Sequence, residues 1–230
     1  MSHNGTSLDN LEKGAVVHAT SPQEAVGRAV APRPTKISNP GTLGLFSFAS
    51  TTLILSLYNA RARDIHHPNV VLGMAIFCGG IAQLLAGMWE FPRGNTFAST
   101  AFTSYGAFWL SWAVIQIPWF GVRAAFDTAE EFTSALGIYL ITWFLVTTFL
   151  LIAALRKSIA FIALFGFLAV TFLLLAIGDF YQALNVTRAG GGLGVATAFI
   201  AYYIGLSELL AAEDQAVFHL PLGVFPKRIQ

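Results

Sequence analysis

Residues Asn39 to Phe48 read NPGTLGLFSF and stand where a polar segment gives way to a long apolar run. Asn is a favoured helix N-cap and Pro a favoured first helical residue. The amides of Gly41, Thr42 and Leu43 would therefore open a helix without partners of their own. Such an end attracts anions, because the helix dipole and the free N–H groups point the same way. A second stretch, Gly94 to Trp109, reads GNTFASTAFTSYGAFW. In it Thr96, Thr100 and Ser104 fall four apart, and Ser111 continues the same face. Phe97 and Phe108 border that hydroxyl stripe and Phe102 points away from it. Taken alone, the stripe either lines a pathway or hydrogen-bonds a neighbouring helix. The first apolar run has similar polar content, with Ser47, Ser50 and Thr51, and with Thr52, Ser56 and Asn59 on the adjoining face. Two hydroxyl-bearing helices beside an anion-attracting terminus point to a passage for a small polar solute.

The lining selects among solutes. No Lys or Arg lies within the apolar runs, so no fixed cation would hold a carboxylate at midplane. Hydroxyls, amide dipoles and aromatic edges suit a small monocarboxylic acid, attracted as an anion and crossing the driest point as the neutral acid. Full charge at an apolar constriction is very costly. A carboxyl pKa of about 4 makes protonation accessible in acidic surroundings, and coupling to protons follows. Two other readings remain open: a channel for an uncharged solute such as ammonia, urea or an amide, and a membrane sensor or structural scaffold.

Other polar residues carry weaker signals. Glu90, in Trp89-Glu90-Phe91-Pro92-Arg93, reads first as an interfacial acid paired with Arg93 and second as a proton-handling group. Gln83 is mid-run and needs a hydrogen-bond partner, from another helix or from a ligand. Asp179 marks the end of the fifth run, and Glu208 lies in the last turn of the sixth. The His66-His67 pair lacks further metal ligands. Gly190-Gly191-Gly192-Leu193-Gly194 has no preceding strand and no following Lys-Ser, so it reads as a turn into the sixth helix. Cys78 is a packed thiol, and Gly79, Gly80, Ala82, Ala86 and Gly87 offer small faces for packing within or between protomers. No nucleophile, base and orienter set supports catalysis, and no cofactor or metal site is expected.

These residues need a membrane scaffold. The 230 residues are 55% hydrophobic and 11% charged, with a mean hydropathy of +0.64, beyond what a soluble domain requires. The charged residues are concentrated in the tails and in short segments between apolar runs, so the net charge of +1 says little about a partner, and no nucleic-acid role is expected. The expectation is an all-α integral membrane protein, a bundle of six transmembrane helices over roughly 41–60, 69–90, 97–119, 133–155, 159–178 and 193–211. Residues 1–38 form a polar, disordered N-terminal tail, 39–212 the transmembrane domain and 213–230 a C-terminal tail. Lys and Arg count nine on the side holding both tails and four on the other, placing both termini in the cytoplasm. Asn185-Val186-Thr187 is a formal glycosylation sequon close to the membrane.

NPGTLGLFSF, GIAQLLAGMWE from Gly80 to Glu90, GNTFASTAFTSYGAFW and LLAIGDF together resemble the acetate uptake transporter family, the succinate and acetate permeases of bacteria and fungi. The likeness spans roughly residues 36–220. It implies a proton-coupled or channel-like carrier of acetate and related short carboxylates, a hexamer in which each six-helix protomer has its own pore. It places a ligand site at Asn39, Pro40, Leu43, Gly44 and Leu45, and a constriction at Phe48, Tyr105 and Leu168. Gly41 and Thr42 stand where the family usually has Ala and a second Pro, which loosens the helix start. With the bottom-up residues, the expected substrate set is Asn39, Pro40, Gly41, Thr42, Leu43, Gly44, Thr100 and Ser104, with Glu90 and Gln83 as a proton or polar relay. The tails resemble fungal members, implying the plasma membrane.

Overall fold

The computed structural model describes residues 37–65 and 67–226, so His66 and the expected N-terminal tail up to residue 36 lie outside the described residues. Among the described residues the architecture is helical: α1 (Gly41–Asn59), α2 (Val71–Glu90), α3 (Thr96–Gln116), α4 (Ala129–Ala154), α5 (Ile159–Phe180) and α6 (Leu184–Ala212). Five of the six are long and apolar enough to cross a membrane; α3, with 21 residues, has the length, but its recurring Ser and Thr lower its hydropathy.

Local chemistry sets the ends. Asn95 Oδ1 accepts from Ala98 N at 3.3 Å at the start of α3, and Ile117, forced extended by Pro118, ends it. Thr128 Oγ1 accepts from Glu131 N at 3.1 Å to open α4, whose first turn carries Glu130 and Glu131 against the helix dipole. Ser158 Oγ accepts from Phe161 N at 3.2 Å to open α5. The next two free amides of α5, Ile159 and Ala160, donate to Gly223 and Leu222 carbonyls. Residues 220–225 thus return to the bundle, also accepting from Ser207 Oγ and Tyr203 OH at 2.7 Å each.

Helices α1 and α6 run antiparallel and very close. A Cβ added at Gly191 would lie 2.5 Å from the Ala60 amide nitrogen, and Gly205 faces the Phe46 ring. The glycine run is therefore not a turn. It lies inside α6, which starts at Leu184, because glycine lets two backbones approach where any side chain would separate them. The small residues of α2 act likewise within the protomer: Gly79 meets Trp109, Gly80 meets Leu110, and Gly87 meets Thr103. Phe77–Ala82 is π-helical, a register shift inside α2 that its sequence did not announce.

The interior is aromatic. Phe48, Phe102, Tyr105, Phe108, Trp109, Phe165 and Phe172 are buried between α1, α3 and α5, while Phe77, Leu85, Ile138, Leu145 and Phe149 stay exposed on the outer faces of α2 and α4. Such an outward apolar surface suits lipid.

Candidate functional site

Three layers follow one another along α1. The first is a polar cluster at the Asn39 end of the bundle. Asn39 Oδ1 accepts from Gly41 N at 3.0 Å and from Arg93 Nη1 at 2.6 Å, while its Nδ2 donates to Glu208 Oε2 at 3.2 Å. Arg93 Nη1 also donates to both Glu90 carboxylate oxygens at 3.0 Å, and Glu90 is only 1% exposed. Asn39 joins three elements: the start of α1, the turn after α2 and the last turns of α6.

The helix start is thus answered from within. Gly41 N is taken by Asn39, Gly44 N donates to Pro40 O at 3.0 Å, and the Glu90 and Glu208 carboxylates face the same end. A Cβ on Gly41 would lie 2.5 Å from Glu208 Oε2, so Gly at this position makes room for that carboxylate. Thr42 is buried, Leu43 is exposed, and Gly44 packs against the Phe102 ring.

The second layer is a collar. Phe48, Tyr105 and Leu168, which the resemblance placed at a constriction, are all buried. The Phe48 and Tyr105 rings are 5.4 Å apart, and Tyr105 also stacks on Phe165. Tyr105 OH and Thr147 Oγ1 are hydrogen-bonded at 2.9 Å, fixing the ring between α3 and α4.

The third layer is a cavity of about 190 Å³ on the Asn59 side of that collar. Phe48 and Leu168 form its floor; Thr52, Ser56, Asn59, Gln116 and Thr187 give it polar points, and Phe108, Trp109, Trp112 and Leu140 give it apolar walls. Among the described residues Asp179 is the one ionisable side chain in the lining, and no Lys or Arg contributes to it.

The expected hydroxyl stripe does not line this space. Thr96 and Thr100 are exposed, Ser104 is half-buried and outside the cavity, and Ser111 Oγ pairs with Tyr139 OH at 2.8 Å. The helix is rotated so that its aromatic face, including Phe102, turns inward; burying large rings outweighs burying hydroxyls. Several interior hydroxyls are also spent on their own helices, as Thr51 donates to Ser47 O at 2.9 Å and Thr171 to Phe167 O at 2.8 Å. Gln83 is fully buried, and neither amide atom finds a hydrogen-bond partner among the described residues. Sequence reasoning missed Trp109 altogether and read Asp179 only as a helix end. Both line the cavity through helix rotation, which one helix's spacing does not reveal.

Among the described residues, the helical bundle holds a ring of buried Phe48, Tyr105 and Leu168 beneath a cavity lined mostly by uncharged side chains. The chain belongs to the GPR1/FUN34/yaaH family, whose match spans residues 23–227. It is 47% identical to Ammonia transport outward protein 2 of Saccharomyces cerevisiae, over 85% of this chain and 70% of that one. It is 37% identical to the succinate-acetate/proton symporter SatP of Escherichia coli, over 82% of this chain and 97% of that one. The solved structure of the bacterial acetate channel SatP matches with a TM-score of 0.72 and 36% identity, covering 82% of this chain and all of that chain. Such family members are transporters or channels, not enzymes.

Proposed function

We propose that this protein carries acetate and related short monocarboxylates across a membrane, through a path inside each protomer that crosses the collar of Phe48, Tyr105 and Leu168. The observation that carries this reading is the collar itself: three buried residues from α1, α3 and α5 closing one end of a cavity to whose lining no Lys or Arg contributes. An apolar ring with one phenolic hydroxyl rejects a hydrated ion and admits a small acid. The solute crosses protonated, because a bare carboxylate there would lose its hydration without a counter-charge. Transport is therefore coupled to a proton. Asn39, Pro40, Gly41, Thr42, Leu43 and Gly44 form the approach at the other end of the path, where Glu90 and Glu208 beside Arg93 exchange the proton and Gln83 offers a polar step between helices.

In this reading α3 is the sixth span, its hydroxyls tolerated because neighbouring helices and other protomers cover them. Both termini are cytoplasmic by the Lys and Arg distribution, the assembly is a hexamer and the location is the plasma membrane, with lipid as the surrounding partner. The names of the relatives support acetate as substrate, and the yeast relative's name keeps ammonia as the second reading.

The test is labelled acetate uptake into liposomes holding the purified protein and its Leu168→Ala variant. Wild-type uptake above empty liposomes, with entry of longer acids gained by Leu168→Ala, is expected. Ammonia permeation with no carboxylate flux in either protein would replace this reading with the second.

A further inference from the structure

Asp179 stands apart from both the collar and the Asn39 cluster. It is half-buried and lines the cavity, and no hydrogen bond or ion pair reaches its carboxylate among the described residues. It lies in the last turn of α5, which ends at Phe180, where an acid meets the negative end of the helix dipole. Neither capping nor pairing therefore accounts for an acid at this place.

Its surroundings narrow its role. The elements packed around the cavity contribute Asn59 from α1, Pro68 from the segment before α2, Gln116 from α3, Leu140 from α4 and Thr187 from α6, and none of these titrates. Arg61 after α1, Arg123 after α3, Glu130 and Glu131 at the start of α4 and Arg188 in α6 all lie outside the lining. No cationic side chain of the lining thus offsets Asp179 when it is ionised. Two like charges within a space of about 190 Å³ repel strongly. A carboxylate solute therefore enters readily only after Asp179 has taken a proton. That proton is also what the solute needs at the collar. An aspartic side chain and a short monocarboxylic acid carry the same functional group, so proton transfer between them is close to balanced.

We propose that Asp179 is the proton-delivering group of the cavity on the Asn59 side: it takes a proton from the adjoining solution, admits a short carboxylate and protonates it before the acid crosses the collar. This deepens the transport reading and rests on it. The step balances. The Asp179 O–H bond breaks as an O–H bond forms on the solute carboxylate, Asp179 is left ionised, and a proton from solution restores it. Until then its charge bars a second anion, so one proton accompanies each solute.

The test uses the full chain reconstituted in lipid, with Asp179→Asn and Asp179→Glu beside the wild type. Infrared difference spectra on adding acetate labelled with ¹³C at its carboxyl carbon should show loss of a protonated-carboxyl band. Asp179→Asn should lack that band and Asp179→Glu should shift it. Initial acetate uptake by Asp179→Asn should fall by roughly one to two orders of magnitude, with its thermal midpoint within a few degrees of the wild type, and Asp179→Glu should restore most of the rate. The wild-type KM in total acetate should climb with pH, whereas that of Asp179→Asn should stay flat, because an amide does not repel the anion. An unchanged rate and an unchanged pH dependence of KM in Asp179→Asn would overturn the assignment, while wild-type uptake would still uphold transport. Loss of uptake in both variants, with a KM that still tracks pH, would make Asp179 structural and overturn it too. An acetate-sensitive Asp179 band without any wild-type uptake would overturn the transport reading and keep the proton exchange.

Discussion

One arginine serves two acids at the Asn39 end. Arg93 hydrogen-bonds both oxygens of Glu90 and shares Asn39 with Glu208, so its removal would leave a buried carboxylate without its counter-charge. Arg93→Ala is expected to cost roughly 2 kcal/mol, moderated because Arg93 is 30% exposed, and the Arg93→Ala/Glu90→Gln double variant should regain most of it. Thermal unfolding in detergent measures both; equal losses in the single and double variants would contradict the pairing. Tyr105→Phe keeps the collar ring but orphans the Thr147 hydroxyl, and should cost about 1 kcal/mol while acetate uptake persists. The NPG motif was readable as a helix start, and the family resemblance put Phe48 and Tyr105 side by side, where their rings lie 5.4 Å apart. That Glu208, 169 positions along the chain from Asn39, would close the motif was not readable, because spacing within one run carries no information about a distant partner.

At the scale of elements, glycines decide how near α1 and α6 can come. A Cβ on Gly191 meets the backbone of Ala60, which cannot yield, whereas one on Gly192 meets nothing within 4 Å. Gly191→Ala should therefore destabilise by about 3 kcal/mol or prevent assembly. Gly192→Ala, one residue away, should stabilise by up to about 1 kcal/mol through helix propensity. Unfolding midpoints of the pair check this, and like-signed shifts would contradict the close packing. The positions of all six helices were legible from apolar runs. The start of α6 was not, because a glycine-rich segment looks like a turn until a neighbouring backbone supplies the reason for its glycines. The hydroxyl stripe of α3 misled in the opposite way: its spacing was helical, but aromatic burial chose which face turned inward.

For the whole molecule, the layers along α1 order the account: an acid-bearing cluster, a collar with no charged side chain, and a cavity whose one ionisable side chain is acidic. No layer offers a carboxylate a complete counter-charge, so flux should follow the protonated acid. Initial uptake at fixed total acetate should fall about tenfold per pH unit above the acid's pKa of about 4. A pH series of initial rates, corrected for diffusion through protein-free vesicles, checks this, and rates tracking the anion would contradict it. The central claim is tested most directly by labelled acetate uptake into liposomes holding the purified protein, with and without an inward proton gradient at fixed membrane potential. The account predicts a gradient-driven initial rate of uptake well above that of protein-free liposomes, approaching the same final level. Equal protein-dependent initial rates with and without the gradient would contradict it and leave a pore for the anion.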